Sequence, residues 1–184
     1  KAYIINKCGA LAEGENIADR YSEVGKSIDV DAKTIGIKNG VLMLSGFYEN
    51  GEFYVYDTGF RLQGEAPHLL MKAIHGFDQR EMLIRFALTG SEGDVNLEKD
   101  DDTRLRGKWA STLWFLLKQG HIAKIEGLDE IDKDGRIVAN IQRLHAGDDV
   151  RPEWIGNEKQ VLTRLYIVCD SKEALADCLK EYQG

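Results

Sequence analysis

No run of apolar residues in this chain approaches the roughly 20 that a membrane-spanning helix needs. The opening residues, KAYIINKCGA, also lack the charged and apolar layout of a signal peptide. Together these absences predict a cytoplasmic protein. Cys8, Cys169 and Cys178 are odd in number and follow no CxxC spacing, which argues against a disulfide framework and a zinc knuckle and leaves them as thiols. Lys and Arg number 24 against 31 Asp and Glu, a net charge of −7, and the basic residues are scattered. The electrostatic footprint of a nucleic-acid binder is therefore missing. So is a glycine-rich phosphate loop, because GALAEGE, the nearest approach, lacks the spacing of a cradle. There is no internal repeat, and no initiating methionine: Lys1 leads directly into a strand-like AYII, which reads as a piece of a longer polypeptide.

What is present suits one globular domain or two small ones, with 184 residues of which 43% are hydrophobic and 30% charged. Ala2 to Ile5 reads as a strand, Cys8-Gly9 as a turn and Ile17 to Tyr21 as a short segment. From Gly40 the pattern sharpens. VLMLSGFY and EFYVYDTGF flank Asn50-Gly51, a strong short-range hairpin signature. After Pro67 the period becomes helical, with Leu69, Leu70, Ala73 and Ile74 on one face and Gly76 as a stop. A second helix opens on Asp78-Gln-Arg-Glu81, a capping box, and runs to Gly90. His68 and His75, two turns apart, are read as packing or surface residues, because chelation of one ion needs an i, i+4 pair.

The stretch from Ser91 to Gly107 contains three consecutive aspartates, Asp100 to Asp102, and is expected to be a linker or exposed loop. It places a boundary between residues 1–93 and 94–184. The second half reads as strands KWASTLWFLLK, HIAKIEG, RIVANIQRLH and QVLTRLYIVCD, then a helix over SKEALADCLKEYQ. That helix would be capped by Asp170 and buried through Ala174, Leu175, Cys178 and Leu179. Trp109, Trp114 and Trp154 are expected to be core or interface aromatics of this β unit, and His121 and His145 to be unpaired at strand edges or turns. The fold class is α+β: an antiparallel sheet with flanking helices, followed by a β-rich C-terminal subdomain closed by a helix.

Strict alternation along GEFYVYDTGFRLQGEAP puts Phe53, Val55, Asp57, Gly59, Arg61 and Gln63 on one face. The other face, Tyr54, Tyr56, Thr58, Phe60 and Leu62, is expected to be core. A carboxylate and a guanidinium flanking a glycine suit a phosphate with a hard cation: Asp57 supplies oxygen to Mg²⁺, and Arg61 supplies a fork of donors to phosphoryl or carboxylate oxygens. A simple Asp57–Arg61 ion pair at the end of a sheet is the alternative reading.

The run GVLMLSGFYENGEFYVYDTGFRLQGEAPHLL, followed by HGFD and a helix, resembles the end of the ATP-binding module of ATP-grasp ligases, particularly biotin carboxylase and the carbamoyl-phosphate-synthase-like subgroup. The resemblance implies the C-terminal half of an ATP-grasp fold, with residues 1–93 belonging to the ATP-binding module. It implies ATP and Mg²⁺ as cofactors, with a small-molecule carboxylate and a nucleophile as substrates. Asp57 stands where the family has its metal-binding Glu, and Arg61 where its Arg contacts the transferred phosphoryl group or the carboxylate. Gln63 and Glu65 match residues lining the bicarbonate site of biotin carboxylase, so Glu65 would orient or deprotonate the acceptor.

Two positions depart from the family. Gly59 replaces its metal-binding Asn, and Ser45 stands near where a second ligand would lie. A two-residue turn would put Leu44 opposite Asp57, whereas a one-residue bulge would bring Ser45 there. Two functions follow: a carboxylate ligase acting through an acyl phosphate, or a degenerate module that binds nucleotide or protein without chemistry. Exposed strand edges in the C-terminal β unit also offer a homodimer contact.

Overall fold

The computed structural model describes residues 36, 39–50, 52–102 and 104–183. The strand expected at Ala2 to Ile5, the turn at Cys8-Gly9 and the segment Ile17 to Tyr21 lie outside them. The chain divides into two compact units, one ending at Arg106 and the other beginning at Gly107.

The first unit is built on a hairpin of β1 (Leu42–Glu49) and β2 (Glu52–Phe60), with Glu49 opposite Glu52 across the turn. Asn50 has a φ of 50°, the left-handed conformation that a tight hairpin turn requires and that Asn tolerates. Helices α1 (His68–His75) and α2 (Gln79–Thr89) follow, each stopped by a glycine in the left-handed region, Gly76 at φ 84° and Gly90 at φ 74°.

The buried face of α1 is rotated from the one expected. His68, Met71, Ile74 and His75 are buried, whereas Ala73 is exposed and Leu69 and Leu70 are half-buried. Tertiary partners decide this, since Met71 joins Phe77, Met82 and Leu97 in the unit's core. Only half of the capping box forms. Asp78 accepts from the Arg80 amide, but Glu81 turns to Lys72 instead of reaching back.

Ser91 to Gly107 is not simply an exposed loop. It contains a helical turn, α3 (Leu97–Asp100), whose Leu97 is buried in that core. Asp102 accepts from the amides of Arg104 and Arg106, and the His75 ring contacts the Asp100 carbonyl at 3.2 Å.

The second unit has a three-stranded antiparallel sheet in the order β3 (Trp109–Leu116), β7 (Val161–Cys169), β5 (Ile137–Gln142). Helix α5 (Lys172–Gln183) covers one face, burying Leu175 and Cys178 against Leu165, Ile167 and Cys169. Both described cysteines are thus buried free thiols. Ser171, not Asp170, caps α5, by accepting from the Ala174 amide; Asp170 is drawn away by an ion pair with Lys108.

Of HIAKIEG only His121 is strand, as the second residue of β4 (Gly120–His121), paired with β6 (Asp149–Val150). Ile122 leaves the ladder to bury itself with Leu144 and Val150, and Gly127, at φ 86°, starts the helical turn α4 (Leu128–Ile131). Both histidines of this unit have an aspartate close by, His121 across the β4–β6 bridge and His145 within the turn before β6. His121 Nδ1 lies 2.9 Å from Asp149 Oδ1 and His145 Nδ1 lies 3.8 Å from Asp148 Oδ2, so the expectation that they stand unpaired is corrected. No helix among the described residues is long and apolar enough to cross a membrane.

One position tests the hairpin directly. A Cβ on Gly46 would meet the Tyr54 carbonyl at 2.5 Å and the Phe53 ring at 2.6 Å. Gly46→Ala is expected to destabilise the first unit by about 1–3 kcal/mol. Hydrogen exchange of the β1 and β2 amides would report it, and unchanged protection would show that the ring and backbone give way freely.

Candidate functional site at the bulged hairpin

The register of the hairpin decides what Asp57 faces. Val55 sits opposite Gly46 but Asp57 sits opposite Ser45, which leaves Tyr56 as an extra residue in β2. The bulge lies inside the strand and not at the turn, and its consequence is that Ser45, not Leu44, opposes Asp57. An inserted residue also reverses the alternation that follows it. Asp57 and Gly59 therefore share a face with Met43, Ser45, Phe47 and Tyr54, and not with Phe53 and Val55.

Exposure agrees with this correction. Phe53 and Val55 are half-buried, while Tyr54 and Tyr56, expected in the core, are 56% and 65% exposed. Phe60 is 58% exposed, so it too is no core residue. Phe47 is 68% exposed and its ring centroid lies 4.9 Å from that of Tyr56. The result is an open aromatic pair on the strands that carry Asp57 and Ser45.

Arg61 keeps company with this face. A Cβ on Gly59 would meet Met43 Cε at 3.3 Å and Arg61 Cγ and Nε at 3.5 Å, so the Arg61 side chain runs back over the bare backbone at Gly59. Its Nη1 donates to the Leu62 carbonyl at 3.2 Å, and among the described residues no ion pair joins it to Asp57. Both charged groups are exposed. Gln63 and Glu65 lie beyond β2 in the turns that lead to Pro67, half-buried, and so are not placed by strand alternation.

Asp78 is buried, and Arg80 grips its carboxylate with Nη2 at 2.9 Å and Nε at 3.2 Å, which holds the acid below the usual carboxylate range. His68 lies beside this pair, and burial lowers its pKa, so at neutral pH it is an uncharged packing residue.

Reading the sequence missed two features: the Phe47–Tyr56 pair, because aromatics in a strand look like core, and the Asp78–Arg80 fork. The string HGFDQR was the available signal for the second. Among the described residues no cluster of three or more His, Cys, Asp or Glu could hold a metal by itself. Asp57 with the Ser45 hydroxyl fits a Mg²⁺ ion only as a minor donor set, the usual arrangement where nucleotide phosphates provide most ligands.

No family model and no curated protein matches the chain. Solved structures do. L-amino acid ligase from Bacillus licheniformis superposes with a TM-score of 0.68 at 18% identity, over 95% of this chain and 41% of its own. Phosphoribosylglycinamide synthetase from Anaerococcus prevotii gives a TM-score of 0.68 at 14% identity, over 88% of this chain and 40% of its own. Both are ATP-grasp enzymes.

The chain has the fold of the C-terminal portion of an ATP-grasp enzyme. It spans about two fifths of the length of each of these neighbours and corresponds to their C-terminal portion. The bulged hairpin and the helices that follow it belong to the first unit, and the three-stranded sheet closed by α5 belongs to the second.

Proposed function

We propose that this chain is the C-terminal part of an ATP-dependent ligase that joins a carboxylate to an amine or thiol through an acyl phosphate. Residues 1–93 would complete the ATP-binding module, and 94–184 would form the C-terminal subdomain. The observation that carries the reading is the single face on which Asp57, Ser45, the bare Gly59 and Arg61 lie together beside the open Phe47–Tyr56 pair.

Phosphoryl transfer needs positioning and charge neutralisation more than covalent help. Asp57 and Ser45 would hold Mg²⁺, which when bound neutralises the β- and γ-phosphates. The Arg61 fork would steady charge on the transferred group, with Gln63 beside it. Glu65 would orient or deprotonate the acceptor. The absence of a side chain at Gly59 lets the Arg61 side chain lie along the strand, and the exposed aromatics offer a surface on which a base stacks.

The test is Mg²⁺-dependent ADP release by the full-length protein. The 184-residue chain alone is expected to release no ADP and form no acyl phosphate, because it contains no glycine-rich phosphate loop; turnover by this piece would defeat that expectation.

One observation favours a second reading. Asp57 faces a serine, and Gly59 stands where the family has an amide ligand, so the face carries one carboxylate where a two-carboxylate magnesium site needs two. A degenerate module would bind nucleotide to the full-length protein without turnover, a result that equilibrium binding and ADP release together distinguish. The reading also includes homodimerisation through β3 or β5, the outer strands of the second unit's sheet, which light scattering would detect as twice the monomer mass.

A further inference from the structure

Arg164 stands in the middle of β7, the central strand of the second unit, with Trp114 of β3 and Ile141 of β5 directly opposite it on either side. A cation in such a row is costly, and its side chain is only 8% exposed. A guanidinium carries five donors. Among the described residues Arg164 uses one of them: Nη2 reaches Glu158 Oε2 at 3.5 Å, the outer limit of a hydrogen bond, while its buried Nε has no partner. The Trp114 ring, its centroid 4.1 Å from the guanidinium carbon, supplies part of the compensation and leaves Nε without an acceptor.

Glu158 is shared as well. The same Oε2 lies 3.2 Å from Nη1 of Arg143, and the Glu158 side chain is 63% exposed. Two guanidinium groups, one of them buried, therefore converge on one largely exposed carboxylate. The group is short of one negative charge and of acceptors for Nε and the remaining donors. Because the Glu158 side chain is largely in water, its hold on the two cations is weak and exchangeable.

We propose that Arg143 and Arg164 form a binding site for a small oxyanion, a carboxylate or a phosphate, and that Glu158 is its tethered stand-in. The bound oxyanion would sit beside Trp114, accept from both arginines and displace the Glu158 carboxylate. This site is separate from the Asp57–Arg61 face and does not depend on the ligase reading.

The experiment is calorimetric titration of the full-length protein with inorganic phosphate and, in a second arm, acetate, at constant ionic strength against chloride, with the Trp114 indole N–H resonance followed by NMR. Saturable binding of either oxyanion that shifts this resonance is expected, and the arm that binds tighter names the chemistry. Glu158→Gln removes the competitor and is expected to tighten binding by about tenfold, and Arg143→Ala to weaken it by about tenfold. Arg143 is half-exposed, so the second variant does not hinge on the folding risk that substitution of Arg164 carries. The proposal is overturned if neither wild type nor Glu158→Gln binds an oxyanion better than chloride, or if Glu158→Gln leaves the affinity unchanged. It is equally overturned if binding survives Arg143→Ala but disappears with Arg61→Ala, which would locate the anion on the hairpin.

Discussion

In the full-length protein, Asp57→Ala and Arg61→Ala are each expected to lower Mg²⁺-dependent nucleotide turnover by roughly 100- to 1,000-fold, the range seen when one preorganised charge-stabilising group is removed from a transition state. The two losses should differ in kind. Asp57 is argued to act through the cation, so its alanine variant should demand more Mg²⁺ and recover part of the rate as the ion is raised. Arg61 is argued to touch the transferred group itself, so its variant should lose kcat at saturating Mg²⁺. Arg61→Lys keeps the charge and loses the planar fork, and is expected to fall between wild type and alanine. Steady-state ADP release across a Mg²⁺ series separates these outcomes. Equal rates in all variants would remove both residues from the chemistry and leave the aromatic face as a binding surface only. Both side chains are exposed, so neither substitution carries a large folding cost that would imitate loss of function.

Where local chemistry decides a feature, the chain spells it out. Asn50-Gly51 specifies the turn, and Gly76 and Gly90 end their helices in the left-handed conformation, because these conformations belong to the residues themselves. Asp170 reads as the cap of α5, but Lys108, 62 positions away, pairs with it and the adjacent Ser171 caps the helix instead. The aspartate run was misjudged as solvent-exposed for the same reason, since nothing near it in sequence announces that His75 and the Leu97 core hold it down.

The candidate site was legible in its charges and illegible in its facing. Asp57 and Arg61 stand out by type and spacing, but the bulge at Tyr56 turns Asp57 away from Phe53 and Val55 and toward Ser45. The Phe53 ring covers Gly46, a close approach that this register allows, and cross-strand packing of that sort has no signature in a period of two. Strict alternation therefore sends Tyr54 and Tyr56 to a core that they do not join.

Two carboxylates are expected to make the two units respond to pH with opposite sign. Burial, reinforced by the charge of Asp102, pushes Asp101 in the first unit up to about 6. An unfolded aspartate titrates near 4. The folded state thus holds this proton more tightly, so the stability that Asp101 contributes is present below about pH 4 and is lost as pH rises through about 6. Asp101→Asn should abolish that slope and raise the neutral-pH stability of the first unit by about 1–2 kcal/mol. Asp134 in the second unit goes the other way. Arg136 donates to it through Nε and Nη2, at 3.0 and 2.6 Å, and Tyr182 Oη donates at 2.7 Å, so its carboxyl is held far below the usual range. Its contribution is complete above about pH 4 and is lost as pH falls toward the depressed native value. Asp134→Ala should cost the second unit about 3 kcal/mol at neutral pH and flatten its acid limb, since Arg136 keeps Glu181 at 2.7 Å while Tyr182 loses its acceptor. Tyr182→Phe, which removes only one hydrogen bond, should cost about 1 kcal/mol. All three tryptophans lie in the second unit, so tryptophan fluorescence in denaturant titrations from pH 3 to 8 follows that unit alone, while exchange of the α1 and α2 amides follows the first. An acid limb in Asp134→Ala as steep as in wild type would show that the Asp134–Arg136–Tyr182 cluster contributes nothing to holding α5 on the sheet.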